Sequence, residues 1–163
     1  MLGWLYCFQR EYDKAIAEGE RAIALNPSGA MVQSMYGVIL TFAGRPNEAV
    51  PLLNKAIRLN PFHPGQALFY LGHAYRDTGR YEEALSSYKK VLRISPNNIG
   101  AHIYLAALYG IMGRQTEAHA EAAEVLLLNP KFSLVHFEKV LSIYRDQAVR
   151  DNIIGALHKA GLK

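Results

Sequence analysis

Six histidines (His63, His73, His102, His119, His136 and His158), one cysteine and fourteen acidic residues are the side chains of this 163-residue chain that could bind a metal or move a proton. Their spacing does not assemble them. No carboxylate or cysteine recurs beside His73, His102 or His136 at the spacing a metal site needs. Ser86, Ser87 and Ser95 have no histidine and aspartate in an order that suggests a nucleophilic triad, and no glycine-rich loop offers to cradle a phosphate. Glu82 and Glu83, like Glu121 and Glu124, have only helix-surface cations for company. The expectation is therefore a chain without catalysis, cofactor or metal, whose function lies in its shape. The histidines are read as interface or groove residues.

The composition fits a soluble domain: half the residues are hydrophobic, a fifth are charged, and the formal net charge is +4. Lysines and arginines alternate with acids along helical faces and no block of like charge forms, so a nucleic-acid partner is not expected. The longest apolar stretch, 99–112, is broken by His102 and two glycines and falls short of the ~18–20 residues a membrane span needs. No secretory leader is visible at the N-terminus. A lone Cys7 allows no internal disulfide. These absences point to a cytoplasmic chain that does not insert into a membrane.

The elements that would shape such a chain show in its periodicity. Prolines stand at 27, 61, 96 and 130, giving gaps of 34, 35 and 34. Gly3, Gly37, Gly72 and Ala106 keep the same gaps, and so do Ala15, Ala49, Ala84 and Ala118. Within the third copy, Ala67, Leu68, Leu71, Ala74 and Tyr75 recur at helical spacing and predict a helix over about 65–78. Gly79 ends it. Tyr81, Ala84, Leu85, Tyr88, Val91 and Leu92 predict a second helix over 81–94, which Pro96 stops. Gly72 and Ala84 fall where the two helices cross, so their small side chains permit close approach. One such pair cannot bury its own apolar surface, so neighbouring pairs must stack.

The order Leu71-Gly72-x-x-Tyr75, Ala84-x3-Tyr88, Pro96 resembles the tetratricopeptide repeat family. So do Leu2-Gly3-x-x-Tyr6 with Ala15 and Pro27, Tyr36-Gly37-x-x-Leu40 with Ala49 and Pro61, and Leu105-Ala106-x-x-Tyr109 with Ala118 and Pro130. The resemblance implies an all-α, right-handed superhelical solenoid of antiparallel helix pairs in a single domain. Its units are expected at 1–29, 30–64, 65–98 and 99–132, with a degenerate capping pair at 133–163. Gly3 matches the family's eighth position, so Met1 falls in mid-helix and the chain is expected to be a piece of a longer protein. The first turn, at Phe8, Gln9, Arg10 and Glu11, lacks the glycine that stands at 44, 79 and 113. Pro51 should bend the second unit's second helix. In the capping pair the spacing predicts helices over 132–144 and 147–160, the second capped by Asp146 and ended by Gly161. Val140 and Asn152 stand where the small crossing pair would be. The tail, residues 144–163, is also similar to the endings of repeat arms attached to bacterial class III adenylate cyclases and to some winged-helix regulators.

In the family, the first helix of each unit lines a concave groove. The resemblance places Met31, Met35 and Phe42 there from the second unit, and Phe69, Tyr70, His73 and Arg76 from the third. It adds Tyr104 and Ile111 from the fourth and Tyr144 from the capping pair. Trp4, Cys7 and Phe8 are the first unit's contribution. Phe69, Ile103 and Phe137 also suit burial between adjacent units. Ser34, Val38, Thr41 and Phe42 replace the lysines and asparagines with which some members clamp a C-terminal carboxylate. The expected groove is apolar and aromatic, with His73, Arg76 and Asp77 as a polar centre. Such a surface suits an amphipathic helix or an extended peptide with aromatic anchors. A protein-interaction scaffold is the expected function. A regulatory arm of a larger signalling protein, such as a nucleotide cyclase, is one alternative. Self-association through an open N-terminal end carrying Trp4 and Phe8 is another.

Overall fold

A computed structural model describes residues 2–163; Met1, the expected mid-helix start, lies outside them. The described residues form ten helices and no strand. Four consecutive pairs carry the repeat: α1 (Leu2–Phe8) with α2 (Tyr12–Leu25), α3 (Ala30–Phe42) with α4 (Pro46–Leu59), α5 (Gly65–Asp77) with α6 (Tyr81–Ile94), and α7 (Ile99–Ile111) with α8 (Gln115–Leu128). The first helix of each following unit packs on the second helix of the unit before it, which buries what a single pair would expose. No described helix is long and apolar enough to cross a membrane.

The small residues at the crossings are required by contact. A Cβ added to Gly72 would lie 2.5 Å from the ring of Tyr88, and one added to Gly37 would lie 2.7 Å from Leu53. Tyr88, Leu53, Ala84 and Ala49 are fully buried around them. The helices end in one recurring turn. Gly44, Gly79 and Gly113 adopt positive φ, and the N–H of the residue after each donates across the turn to the carbonyl of Leu40, Tyr75 or Tyr109, each at 2.8 Å. The first unit makes the same turn with Arg10 at φ 61°, and Glu11 N–H reaches Tyr6 O at 2.8 Å. The stacking thus holds the left-handed geometry even where an arginine must adopt it. Proline 51 does not interrupt α4, which runs from Pro46 to Leu59.

The capping pair departs from expectation. Helix α9 ends at Leu141 instead of reaching Tyr144, and α10 spans Gln147–Lys159. Asp146 caps α10 by accepting from Ala148 N–H at 2.8 Å, and Gly161 ends it at positive φ. Ile153, Ala156, Leu157 and Ala160 are buried as the periodicity requires. However, α9 makes no stack along α8. It is α10 that packs on α7, with Gly110 so close to Ala156 that an added Cβ would meet the Ala156 Cβ at 3.1 Å. Val140 and Asn152 lie at no crossing, since both are exposed. The link from α9 to α10 therefore runs back across the concave side of the solenoid.

Candidate functional site: the concave groove

The groove floor is built by the first helices of successive units. Phe42 comes from the last turn of α3, Phe69, Tyr70, His73 and Arg76 from one face of α5, and Tyr104 from α7. Their rings pack edge to face. Phe42 and Tyr70 lie 5.9 Å apart, Phe69 and Tyr70 5.4 Å, and Phe69 and Tyr104 5.6 Å. Trp4 of α1 closes one side against Phe42 and Tyr70, at 5.7 Å and 6.0 Å. Such arrangements align ring edges with ring faces and add to the gain from burial.

Arg76 sits at the centre and is only 4 % exposed. Its Nε and Nη2 donate to Asp77 Oδ1 at 2.8 Å and 2.7 Å. Nη2 also donates to the hydroxyl of Tyr144 at 2.9 Å. The guanidinium lies over the rings of Tyr104 and Tyr144, 5.2 Å and 5.5 Å from their centroids. Nη1 is buried without a partner among the described residues. Burial raises the Asp77 carboxyl, and the charge of Arg76 opposes that rise. His73 Nδ1 lies 2.9 Å from Phe69 O and 3.0 Å from the Tyr88 hydroxyl. Burial, and then the charge of Arg76, hold its imidazole well below its ordinary pKa, so it is neutral.

Tyr144 is not part of a groove-lining helix. It belongs to the link after α9 and covers the polar centre from above, 2 % exposed, with its ring 4.8 Å from Phe42. Its neighbours are pinned to the far end of the chain. Arg145 N–H donates to Phe42 O at 2.8 Å, and the Tyr12 hydroxyl donates to Ile143 O at 3.1 Å. A carbonyl in the last turn of α3 has no partner within its own helix, which is why it can accept from the link. Beside this plug a cavity of about 220 Å³ stays open. Phe69, Tyr70 and Tyr104 line it on one side, and Phe137, Val140 and Ile143 on the other, with Trp4 and Phe8 at the rim.

The aromatic residues predicted for the groove, with His73 and Arg76, thus come together as one cluster. The other three predicted residues lie elsewhere. Met31 and Met35 line a separate apolar cavity of about 320 Å³ with Gly3, Leu25, Tyr36 and Ile39, between α2 and α3. Ile111 is half-buried against the core and does not line the groove cavity. Trp4 packs into the groove instead of standing at an open end. Ile143 and Tyr12 were missed: Ile143 has no counterpart in the repeat, and Tyr12 shares with Tyr81 a position on the second helix of its unit, outside the groove-lining first helices. Cys7 is buried, and burial lifts its thiol to about 11, so it stays protonated. The histidines do not meet: His102 bonds Glu121 Oε2 at 2.6 Å and Pro96 O at 2.9 Å, while His136 is exposed. No group of three or more potential metal ligands forms among the described residues.

Comparison with known proteins agrees with this architecture. The tetratricopeptide repeat profile matches residues 1–64, and a TPR repeat profile matches 72–113. Small glutamine-rich tetratricopeptide repeat-containing protein 2 of Mycosarcoma maydis is 32% identical over 89 residues, covering 55% of this chain and 25% of that protein. The TPR repeat-containing protein YpiA of Bacillus subtilis is 27% identical over 149 residues, covering 91% of this chain. The chain spans about a third of the length of YpiA. Among solved structures, MamA MSR-1 superposes with a TM-score of 0.67 at 31% identity, covering 80% of this chain and 74% of that one. The repeat at 34 and 35 residues, the stacked helix pairs and these matches lead to one statement: the chain belongs to the tetratricopeptide repeat family.

Proposed function

We propose that this chain is a non-catalytic protein-interaction scaffold that takes an apolar or aromatic side chain of a partner peptide into the concave groove. The observation that carries this reading is the open cavity of about 220 Å³ walled by Phe69, Tyr70, Tyr104 and Phe137. Phe8 and Val140, which also line it, are 62% and 56% exposed and so lie within reach of a partner. The histidine that lines it, His73, is neutral and held by Phe69 and Tyr88, which favours binding over bond chemistry there.

The test is selection of binders from a displayed random-peptide library, followed by titration of the best peptide on Tyr70→Ala and Val140→Lys. Both variants should keep wild-type helicity and weaken binding tenfold or more. Unchanged affinity in both would remove the groove from the interaction.

A second reading is self-association through the apolar α2–α3 cavity, where Met31 is 73% exposed. Light scattering that shows a monomer at millimolar concentration would eliminate it.

A further inference from the structure

We infer that residues 143–145 act as an intramolecular stand-in for the partner, and that the groove recognises a short peptide segment of the pattern aliphatic–tyrosine–basic. This rests on the groove being the interaction site, and it names what the groove selects. The chain's own segment leaves α9 in a turn, with Tyr144 N–H donating to Leu141 O at 3.0 Å, and is seated there by bonds to its main chain on either side of one anchoring side chain. Tyr12 donates to the carbonyl of Ile143, and Phe42 O accepts from the N–H of Arg145. Between them Tyr144 places its ring on Phe42 and its hydroxyl on Arg76.

Three subsites follow. Ile143 is buried at the cavity wall, so an aliphatic side chain fits there. The central subsite demands a ring with a terminal acceptor, because a buried guanidinium waits at its end and Nη1 has no partner to release. The third favours a cation. Arg145 lies over the Tyr12 ring at 5.7 Å and pairs with Asp13 at 3.7 Å, while Lys14 pairs with Glu11. Of these contacts only the Arg145 ion pair is solvent-exposed, so an invading peptide would gain its first hold there and displace the plug inward.

The probe is a fluorescein-labelled peptide with the sequence of residues 138–147, EKVLSIYRDQ. It is titrated onto the whole chain as wild type and as the double variant Tyr144→Ala with Arg145→Ala. The variant should bind saturably and at least tenfold tighter than the wild type, whose site is self-occupied. A peptide with phenylalanine in place of tyrosine should bind about thirtyfold more weakly, the size of one hydrogen bond to a charged donor. A variant of wild-type helicity that does not bind overturns the inference.

Should the double variant fail to fold, amide exchange of residues 142–146 in the wild-type chain decides. An excess of the peptide should accelerate it, and unchanged exchange overturns the proposal. A wild-type dimer that Tyr144→Ala converts to monomer would assign the site to a second copy and overturn the partner peptide. If library selection yields groove binders that lack tyrosine followed by a basic residue, this inference fails while the groove remains the interaction site. If no peptide binds the groove, both fail.

Discussion

Removing one oxygen atom measures how firmly the plug is held. Tyr144→Phe keeps the ring that packs 4.8 Å from Phe42 and opens no cavity, so the change isolates the hydroxyl. That hydroxyl accepts from Arg76 Nη2 at 2.9 Å inside a site from which water is excluded. Asp77 continues to hold Nε and one hydrogen of Nη2. The second hydrogen of Nη2 loses its partner and joins the unpartnered Nη1. A bond to a charged donor contributes about 1.5–3 kcal/mol, and stranding the donor forfeits it without compensation. We place the loss at about 2 kcal/mol, which for a chain of this length lowers Tm by about 4–8 °C. Tyr12→Phe supplies the internal standard: its hydroxyl meets a neutral carbonyl at 3.1 Å, and its loss should cost about 1 kcal/mol. Thermal and urea unfolding followed by far-UV circular dichroism give both values. The fluorescence of Trp4, the single tryptophan, reports on the groove itself because its ring lies 5.7 Å from Phe42. A change below about 0.5 kcal/mol for Tyr144→Phe would show that Arg76 does not depend on the link, and the account of the plug would be wrong.

Two glycines in helix interiors should respond with opposite sign to the same substitution. Gly155→Ala has open space around it in α10 and should stabilise by about 0.5–1 kcal/mol, whereas Gly72→Ala drives a methyl into the fixed Tyr88 ring and should destabilise by about 1–2 kcal/mol; urea midpoints separate them. Arg10→Gly relieves a left-handed arginine and should raise stability by about 0.5–1 kcal/mol, with equal or lower stability counting against strain at that turn. His73 binds its proton more weakly folded than unfolded, so below pH 6.5 the unfolded chain takes up one more proton from this residue. Stability should then fall by about 1.4 kcal/mol per pH unit from this group, and His73→Gln should remove that share of the slope in denaturation curves measured from pH 7 to 5.

Much of the solenoid was legible because each repeat states its own constraints locally. Gly72 and Ala84 announce a close crossing within eighteen residues of Tyr88, and the ring contact they imply is the one the fold contains. The positive φ at the first turn was legible as a position, since Gly44, Gly79 and Gly113 mark it in the other copies. Arg10 shows that position in the repeat outranks local preference there. The groove aromatics Phe42, Phe69, Tyr70 and Tyr104 were legible for the same reason. Each is assigned by its place in one helix, and stacking the helices brings the places together.

The plug was illegible because nothing local specifies it. Leu134, Phe137, Leu141 and Tyr144 keep helical spacing, and no proline or glycine stands between Leu141 and Asp146 to end a helix. What ends α9 is a competition with partners 68 to 131 positions away. Tyr12 offers a donor to Ile143, Phe42 an acceptor to Arg145, and Arg76 a buried charge to Tyr144. These three partners face one point only after the curvature of four stacked units has accumulated. The same reasoning separates the two roles that Tyr144 could have played. As a helical residue it would have lined an empty groove; as a link residue it fills one. If the groove takes a partner as proposed, that partner must replace both the ring and the hydroxyl of Tyr144 to keep Arg76 satisfied. Selectivity then follows from the buried guanidinium: a partner lacking the acceptor would displace Tyr144 and leave Arg76 stranded, so competition with the chain's own segment rejects it.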